Sequence, residues 1–547
     1  MFNATGASAE FHWLAEFYLD STTLRYADED ISIQESNTVG AFYEGRLPSS
    51  GSLVRDLGTF LEPHETVQNF DFSIDNSDGE LARLIDANPF ANRRVRMWIG
   101  EGVRKSNYSE VFSGYVAHPN GIGWDEDVAH ITVVDQRIRH RRVLPPRVFD
   151  RELFPSVEDK GLNQPIPIVY GDWGLSAGSG NGSLSIPVVC TNMVAAQKTF
   201  KIADHGLKSL TRVMKNSVAL SLVTQVNNIC LTDGTFGIDA SVAYSSTTDT
   251  VSVNCEGIKT INGSLIERPM DVYRNMQTMW VGLTGTDLNV TAYNSINVSG
   301  TVGAVVRRFI RDQVSTETLA KGLLNESQVD MRFVGGKYSP KFRGLDLDPT
   351  RISIRDSDIM LEDEQSEKAD FLAQKDPDRF FANRVRSRFR YDPINGLFAG
   401  SYILQVTASV AEVSAIVERP MDFEWYYRTA DVQDRVNIEL ATYTKEPMNV
   451  QMRVGTRGLL LNLADQIDLT YDIFTNRAIQ IRRIETELST MTTRISGFHL
   501  FLLGLGRWTS DTAGPWDADK DTSGFWCTAL GYAEAGNILS LNISRWG

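Results

Sequence analysis

The chain lacks most of the patterns that announce chemistry. Its four cysteines, Cys190, Cys230, Cys255 and Cys527, lie far apart, and none forms a Cys-x-x-Cys pair. No histidine clusters with them, so a disulfide framework, a zinc site or an iron–sulfur site has no ligand spacing to stand on, and buried free thiols are expected. The seven histidines are dispersed without metal-binding intervals; His205 stands alone. There is no His-Glu-x-x-His, no Gly-x-Ser-x-Gly elbow and no Walker A loop. The glycine-rich run 174–182 contains Gly-Ser-Gly-Asn-Gly but not the Lys-Ser/Thr that would complete a phosphate cradle. Sixty-nine carboxylates are present. A working acid–base pair needs opposed environments at a fixed separation, which the sequence does not specify. No catalytic, metal-binding or cofactor-binding residue is therefore assigned, no cofactor is expected, and the chain is not expected to be an enzyme.

Positive charge is also in short supply. The net charge is −15 and the pI about 5.1, where a free nucleic-acid binder would carry a basic face. Sequence-specific DNA binding is disfavoured, whereas an acidic wall past which a polyanion slides without sticking is compatible with this balance. The basic run Arg137–Arg142 could touch DNA, but in an acidic protein it is expected to be a solvated or subunit-facing patch that pairs with acidic neighbours. Met1–Leu19 lacks a basic n-region and a long apolar core, so no secretory signal is expected. No apolar run reaches about eighteen residues, the length that crosses a bilayer.

What is present is alternation. At 547 residues the chain has room for roughly three or four domains of about 150 residues. Phe70, Phe72 and Ile74 share one face of a strand, and so do Val95, Met97 and Ile99. Ser77-Asp-Gly-Glu80 fits a capping box before a short helix carrying Leu81, Leu84 and Ile85. After 188 short strands follow one another to about 253. Pro269 suits N1 of a helix, Val302, Val305, Val306, Phe309 and Ile310 predict a second, and Ser315 caps a third. Met331 and Phe333 face Phe342 across a Gly335–Gly336 turn. The acidic stretch 351–370 centres on Leu361-Glu-Asp-Glu364. Phe381–Tyr391 alternates apolar and basic residues. Glu267-Arg-Pro-Met-Asp271 recurs as Glu418-Arg-Pro-Met-Asp422, a slight sign of duplication. The most legible part is 429–497. Val432, Val436, Leu440 and Tyr443 mark one helix face, and Pro447 ends the helix. Alternating runs then follow, with a one-residue slip at Arg482–Arg483 that predicts a β-bulge.

The ordered set Leu24-Arg-Tyr-Ala-Asp28, Phe42-Tyr-Glu-Gly45, Phe72-Ser-Ile-Asp-Asn76, Ala82-Arg-Leu-Ile85, Arg94-Val-Arg-Met-Trp-Ile-Gly100 and Val111-Phe-Ser-Gly114 continues further on. Pro165-Ile-Pro-Ile-Val-Tyr-Gly-Asp-Trp173, Asn383-Arg-Val-Arg386, Arg457-Gly-Leu-Leu-Leu461 and Ala464-Asp-Gln-Ile467 complete it. Together these segments resemble the tail hub, or baseplate hub, proteins of long non-contractile phage tails over roughly residues 14–500. The resemblance implies a mainly β, multidomain chain with minor α, holding two tail-tube-like β-barrels plus β-rich and α/β accessory domains. The expected division is a first barrel at 1–145 and a β-rich accessory domain at 146–262. An α/β accessory domain at 263–374, a second barrel at 375–500 with helix 429–444, and a Trp-rich tail at 501–547 complete it.

The resemblance further implies a homotrimer at the distal tail tip of the virion. Its ring would join a six-fold tube to three-fold tip components and form part of the DNA ejection channel. The implied neighbours are a distal tail protein ring, a tail tip or central fibre protein, a tape measure protein, and genomic DNA in transit. Some relatives hold an iron–sulfur cluster through C-terminal cysteines; only Cys527 lies there, so the cluster is not carried over. Two sets of candidate residues follow. Glu362, Asp363 and Glu364 are expected to face the lumen or to form polar subunit contacts, with an outer solvated loop as the alternative. Trp508, Trp516, Trp526 and Trp546 are expected to dock the tail on a neighbouring chain, with folding back onto its own barrel as the alternative. The competing class is a β-rich carbohydrate-active enzyme or carbohydrate-binding protein, for which ten Trp and 17 Tyr would supply sugar platforms.

Overall fold

The computed structural model describes residues 11–499 except for 21, 36–39, 48–51, 58–68, 119–120, 126, 136, 138–140, 175–183, 195–196, 299–303, 344–351, 363–367, 376–380, 445–447 and 489. Beyond 499 it describes only 505–509 and 523–527. The fold is mainly β, built of several sheets with few helices. Among the described residues, no helix is long and apolar enough to cross a membrane.

A nine-stranded sheet occupies the N-terminal part. Phe11–Tyr18 lies inside it, between Thr23–Ala27 and Arg94–Glu101. Both faces of this strand are buried, which is why its sequence runs nearly continuously apolar. Trp13, Ala15 and Phe17 enter one core with Phe72, Val95, Met97 and Ile131. Leu14 turns the other way, toward Tyr43 and Trp98. The short helix Glu80–Ala87 follows Asn69–Asp75, but not through the expected capping box. Gly79 takes the N-cap position with φ +68, and its backbone geometry displaces Ser77 from that role. The N–H groups of Glu80 and Ala82 donate instead to Asp78 Oδ1 (2.9 Å) and Asn76 Oδ1 (3.0 Å).

A seven-stranded sheet organises the C-terminal part. Phe474–Glu487 and Thr492–His499 form its middle, with the expected bulge between Ile481 and Arg483. Its membership does not follow the boundary expected at 375. Ile352–Arg355 joins in parallel to Gln466–Tyr471, and Phe371–Lys375 pairs with Met448–Val454. The acidic composition around 351–370 hides the first of these strands, although Ile354 is fully buried. A further strand comes from the other end of the chain: Ser52–Asp56 pairs antiparallel with Arg483–Glu487.

The helix Thr429–Tyr443 forms where its periodicity predicts, with Val432, Val436 and Leu440 buried. Its apolar face does not serve the sheet that follows it in sequence. It enters a separate large core with Val385, Phe389, Trp425, Met270, Leu319 and Leu323. The three-stranded sheet Leu397–Gln405, Arg384–Asp392, Glu418–Asp422 covers that core.

Pro269–Asn275 and Thr316–Glu326 are helices as expected, the second capped by Ser315 Oγ accepting from Thr318 N–H at 3.1 Å. The helix expected over 302–310 is not one. Arg308–Ile310 is a strand paired with Ile168–Tyr170. Phe309 and Ile310 enter two different cores, a period of two that a helical face cannot provide. The repeated pentapeptide also divides: Pro269 opens a helix, whereas Glu418–Asp422 is an edge strand parallel to Arg384–Asp392. Identical residues thus adopt two conformations, and tertiary pairing rather than duplication selects them.

The region after 184 forms two four-stranded sheets around Phe200, Phe236, Val253 and Cys255. Cys190 and Cys255 are buried free thiols, pushed up to about 11 and about 12 by burial. His205 is also structural. Its Nε2 accepts from Val169 N–H at 2.9 Å, its Nδ1 lies 2.8 Å from Gly206 O, and burial lowers its pKa to about 4.

Candidate assembly surfaces

Three features of the chain concern how bodies are joined. The first is the strand Ser52–Asp56. Leu53 is buried in the N-terminal core and Leu57 in the C-terminal core, so one short segment serves both. Arg55 donates to Asn462 Oδ1 (3.3 Å) and Leu461 O (3.2 Å). Leu57 N–H donates to Arg482 O at 2.9 Å, and Arg482 Nη2 returns a bond to Leu57 O at 3.1 Å. No periodicity in 52–57 announces this pairing.

The second is a buried charge cluster at the junction of the central core and the C-terminal sheet. Asp330 accepts from Arg343 Nε at 3.2 Å and from Arg482 Nη1 at 2.6 Å, with all three side chains almost wholly buried. Arg435 and Arg419 converge nearby on the buried Glu439, which also receives Gln328 Nε2. Glu326 lies alongside. Burial raises it to about 8, while its oxygens accept from Glu424 N–H (2.8 Å) and Trp425 N–H (2.9 Å). Sequence reasoning missed these groups because each is an ordinary charge among many.

The third is an exposed apolar arm. Leu397–Gln405 is an edge strand of nine residues, Leu-Phe-Ala-Gly-Ser-Tyr-Ile-Leu-Gln, without a charge or a proline. Protein edges are normally guarded by such residues or covered. Leu397 is 66% exposed and Ile403 48%; Val413 and Ile416, just beyond, are also open to solvent. On the same sheet the cationic face of Arg384–Asp392 is neutralised, Arg386 by Glu418 (3.0 Å) and Arg388 by Asp422.

The residues expected from sequence are distributed as follows. Glu362 is exposed, and its Oε1 meets Lys368 Nζ at 2.6 Å; Asp363 and Glu364 lie outside the described residues. Trp508 and Trp526 occupy the paired strands Leu505–Thr509 and Ser523–Cys527, opposite Gly524 and Gly506 respectively. Trp516 and Trp546 lie outside the described residues. In the basic run, Arg137 pairs with Asp135 and Arg141 with Glu317. Among the described residues, no group of three His, Cys, Asp or Glu side chains is placed to hold a metal.

Comparison with protein-family models and with curated proteins finds no match. Solved structures with a similar arrangement include a chain of the virion of a native gene transfer agent particle, at 9% identity and TM-score 0.41, covering 63% of this chain and 85% of that one. The 43 kDa tail protein of prophage MuSo2 from Shewanella oneidensis is 10% identical with TM-score 0.38, covering 86% of this chain and 98% of that one. A prophage tail protein from Listeria monocytogenes EGD-e is 10% identical with TM-score 0.24, covering 61% of this chain and 94% of that one. At this distance, function has to be argued from the chain's own residues.

Proposed function

We propose that this chain is a structural tail hub, three copies of which close a ring at the distal tip of a phage tail. The observation that carries the proposal is the strand Ser52–Asp56, which ties the N-terminal and C-terminal sheets of one chain together. A subunit that presents two linked sheets supplies six from three copies, the number needed to continue a six-fold tube while the rest of the chain obeys three-fold symmetry. The uncharged edge Leu397–Gln405 and its apolar neighbours fit the same role, because a solitary chain would expose a ready template for strand pairing. The occupant we assign to that edge is a second copy of this chain. An acidic chain also suits a conduit, since like charge keeps DNA from adhering; in this proposal Glu362, Asp363 and Glu364 line the channel or the subunit contacts. The tail with Trp508, Trp516, Trp526 and Trp546 docks on a neighbour, and the other partners are the tube-side ring, the tip fibre and the tape measure protein.

Light scattering and negative-stain imaging of the purified protein test the proposal. A ring-shaped trimer is expected, with each contact burying well over about 2,000 Å² as obligate interfaces do. A monomer at every concentration, with or without the tube-side ring protein, refutes it. Deleting 504–547 tests the tail: the truncated chain should still form trimers but fail to join tail tips. An insoluble product would place the tail in the subunit's own core.

A further inference from the structure

Arg307 is nine-tenths buried, at 9% exposure, yet among the described residues no carboxylate, carbonyl or hydroxyl receives its guanidinium. Its backbone is fixed by the N–H bond to Trp425 O at 3.0 Å, immediately before the strand Arg308–Ile310. Gly171, at φ +73, packs against it so closely that a Cβ there would sit 2.2 Å from Val306 O. Two aromatic rings lie against the side chain. Its Cζ lies 4.7 Å from the centroid of Trp173 and 4.6 Å from that of Tyr427, and both residues are buried. Three distant parts of the chain therefore meet at a single cation.

The surroundings sharpen the anomaly. Tyr427 Oη is buried, and Arg428 lies against the Tyr427 ring, with Cζ 5.6 Å from its centroid. Arg390, held by Tyr427 O (3.1 Å) and Thr429 Oγ1 (3.0 Å), also forms no ion pair with a described carboxylate. Burial first, and the neighbouring Arg390 charge with it, lowers the Arg307 pKa to about 10. The charge of Asp172 also acts on Arg307, and that of Glu267 on Tyr427. A guanidinium beside aromatic rings still offers its in-plane N–H edge to a partner. That edge matches a planar, two-oxygen acceptor.

We propose that Arg307, beside Trp173 and Tyr427, is a carboxylate-binding site, its N–H fork taking the two oxygens of a carboxylate. Two sources share this chemistry: an aspartate or glutamate side chain of another polypeptide, and a free small carboxylate. The site is independent of the tail-hub proposal, since it is argued from this chain's side chains alone.

Thermal unfolding of the full chain at constant ionic strength tests it, with sodium acetate, N-acetyl-aspartate amide and sodium phosphate as probes and chloride as the reference. Acetate and the blocked aspartate should raise the melting temperature in a saturable manner, and the aspartate arm should saturate at least ten-fold lower if a polypeptide side chain is the natural occupant. Equal saturation assigns a free small carboxylate instead. Arg307→Met preserves the packed stem and should abolish both responses; Arg307→Lys keeps the charge but not the fork and should weaken them at least ten-fold. If Arg307→Met fails to fold, Arg390→Gln and Tyr427→Phe serve, each expected to weaken saturation several-fold with Arg307 intact. Responses identical to chloride, or unchanged in all these variants, overturn the proposal, as does a response to phosphate alone.

Discussion

The strand Ser52–Asp56 offers the sharpest test of how this chain holds together. Leu53 is 2% exposed in the N-terminal core and Leu57 is fully buried in the C-terminal core. Replacing either by Ala removes buried methyl groups and leaves a cavity, at a cost of about 2–5 kcal/mol. Taking about 3 kcal/mol and units of about 150–250 residues, whose melting falls by about 2–4 °C per kcal/mol, each variant should melt roughly 6–12 °C lower. The decisive quantity is the coupling between them. Four residues along a strand span about 13 Å, and sites farther apart than about 7–10 Å are normally additive. Here the ladder from Asp56 to Ser52 lies between the two sites, paired over its whole length to Arg483–Glu487. Loosening one end should fray the ladder and unseat the other leucine. The double variant Leu53→Ala/Leu57→Ala should therefore cost less than the sum of the singles, by more than about 0.5 kcal/mol. Urea denaturation followed by scanning calorimetry measures all four corners of the cycle. Additivity within about 0.3 kcal/mol, with each single variant moving only its own transition, would show that the strand does not couple the two sheets.

Asp330→Asn should destabilise the chain by about 3 kcal/mol, the lower end for a broken buried pair, because Arg482 keeps its bond to Leu57 O; a urea midpoint unchanged from wild type would contradict this. His205 should make the chain acid-sensitive. Its folded pKa of about 4 lies below the ordinary 6.5, so its stabilising contribution is present above pH 6.5 and is lost as pH falls toward 4. The cause is local, since a protonated Nε2 would face the Val169 N–H. Melting temperatures across that window should fall less steeply in His205→Gln than in wild type, and equal slopes would refute the assignment. Ile403→Lys places a charge on the open edge strand. It should abolish the proposed trimer in light scattering while changing subunit stability by no more than about 0.5 kcal/mol, the ordinary range for a surface site; an intact trimer would move the contact elsewhere.

The sequence alone determined many of the features that depend on spacing along the chain. The helix face Val432, Val436, Leu440, the Ser315 cap, the hairpin at Gly335–Gly336 and the bulge after Ile481 are all local, and local backbone geometry sets their periods. Tertiary structure alone decided which surfaces those elements meet. It sent the 429–443 helix into the central core rather than the adjacent sheet. It drew Arg308–Ile310 into a strand by pairing it with Ile168–Tyr170, and gave the same pentapeptide two conformations. It carried Ser52–Asp56 across more than four hundred residues to Arg483–Glu487. It also set Arg307 beside Trp173 and Tyr427. None of these leaves a period in the sequence, because a contact between distant segments is selected by burial and by unmet backbone hydrogen bonds, which act only once the chain has folded.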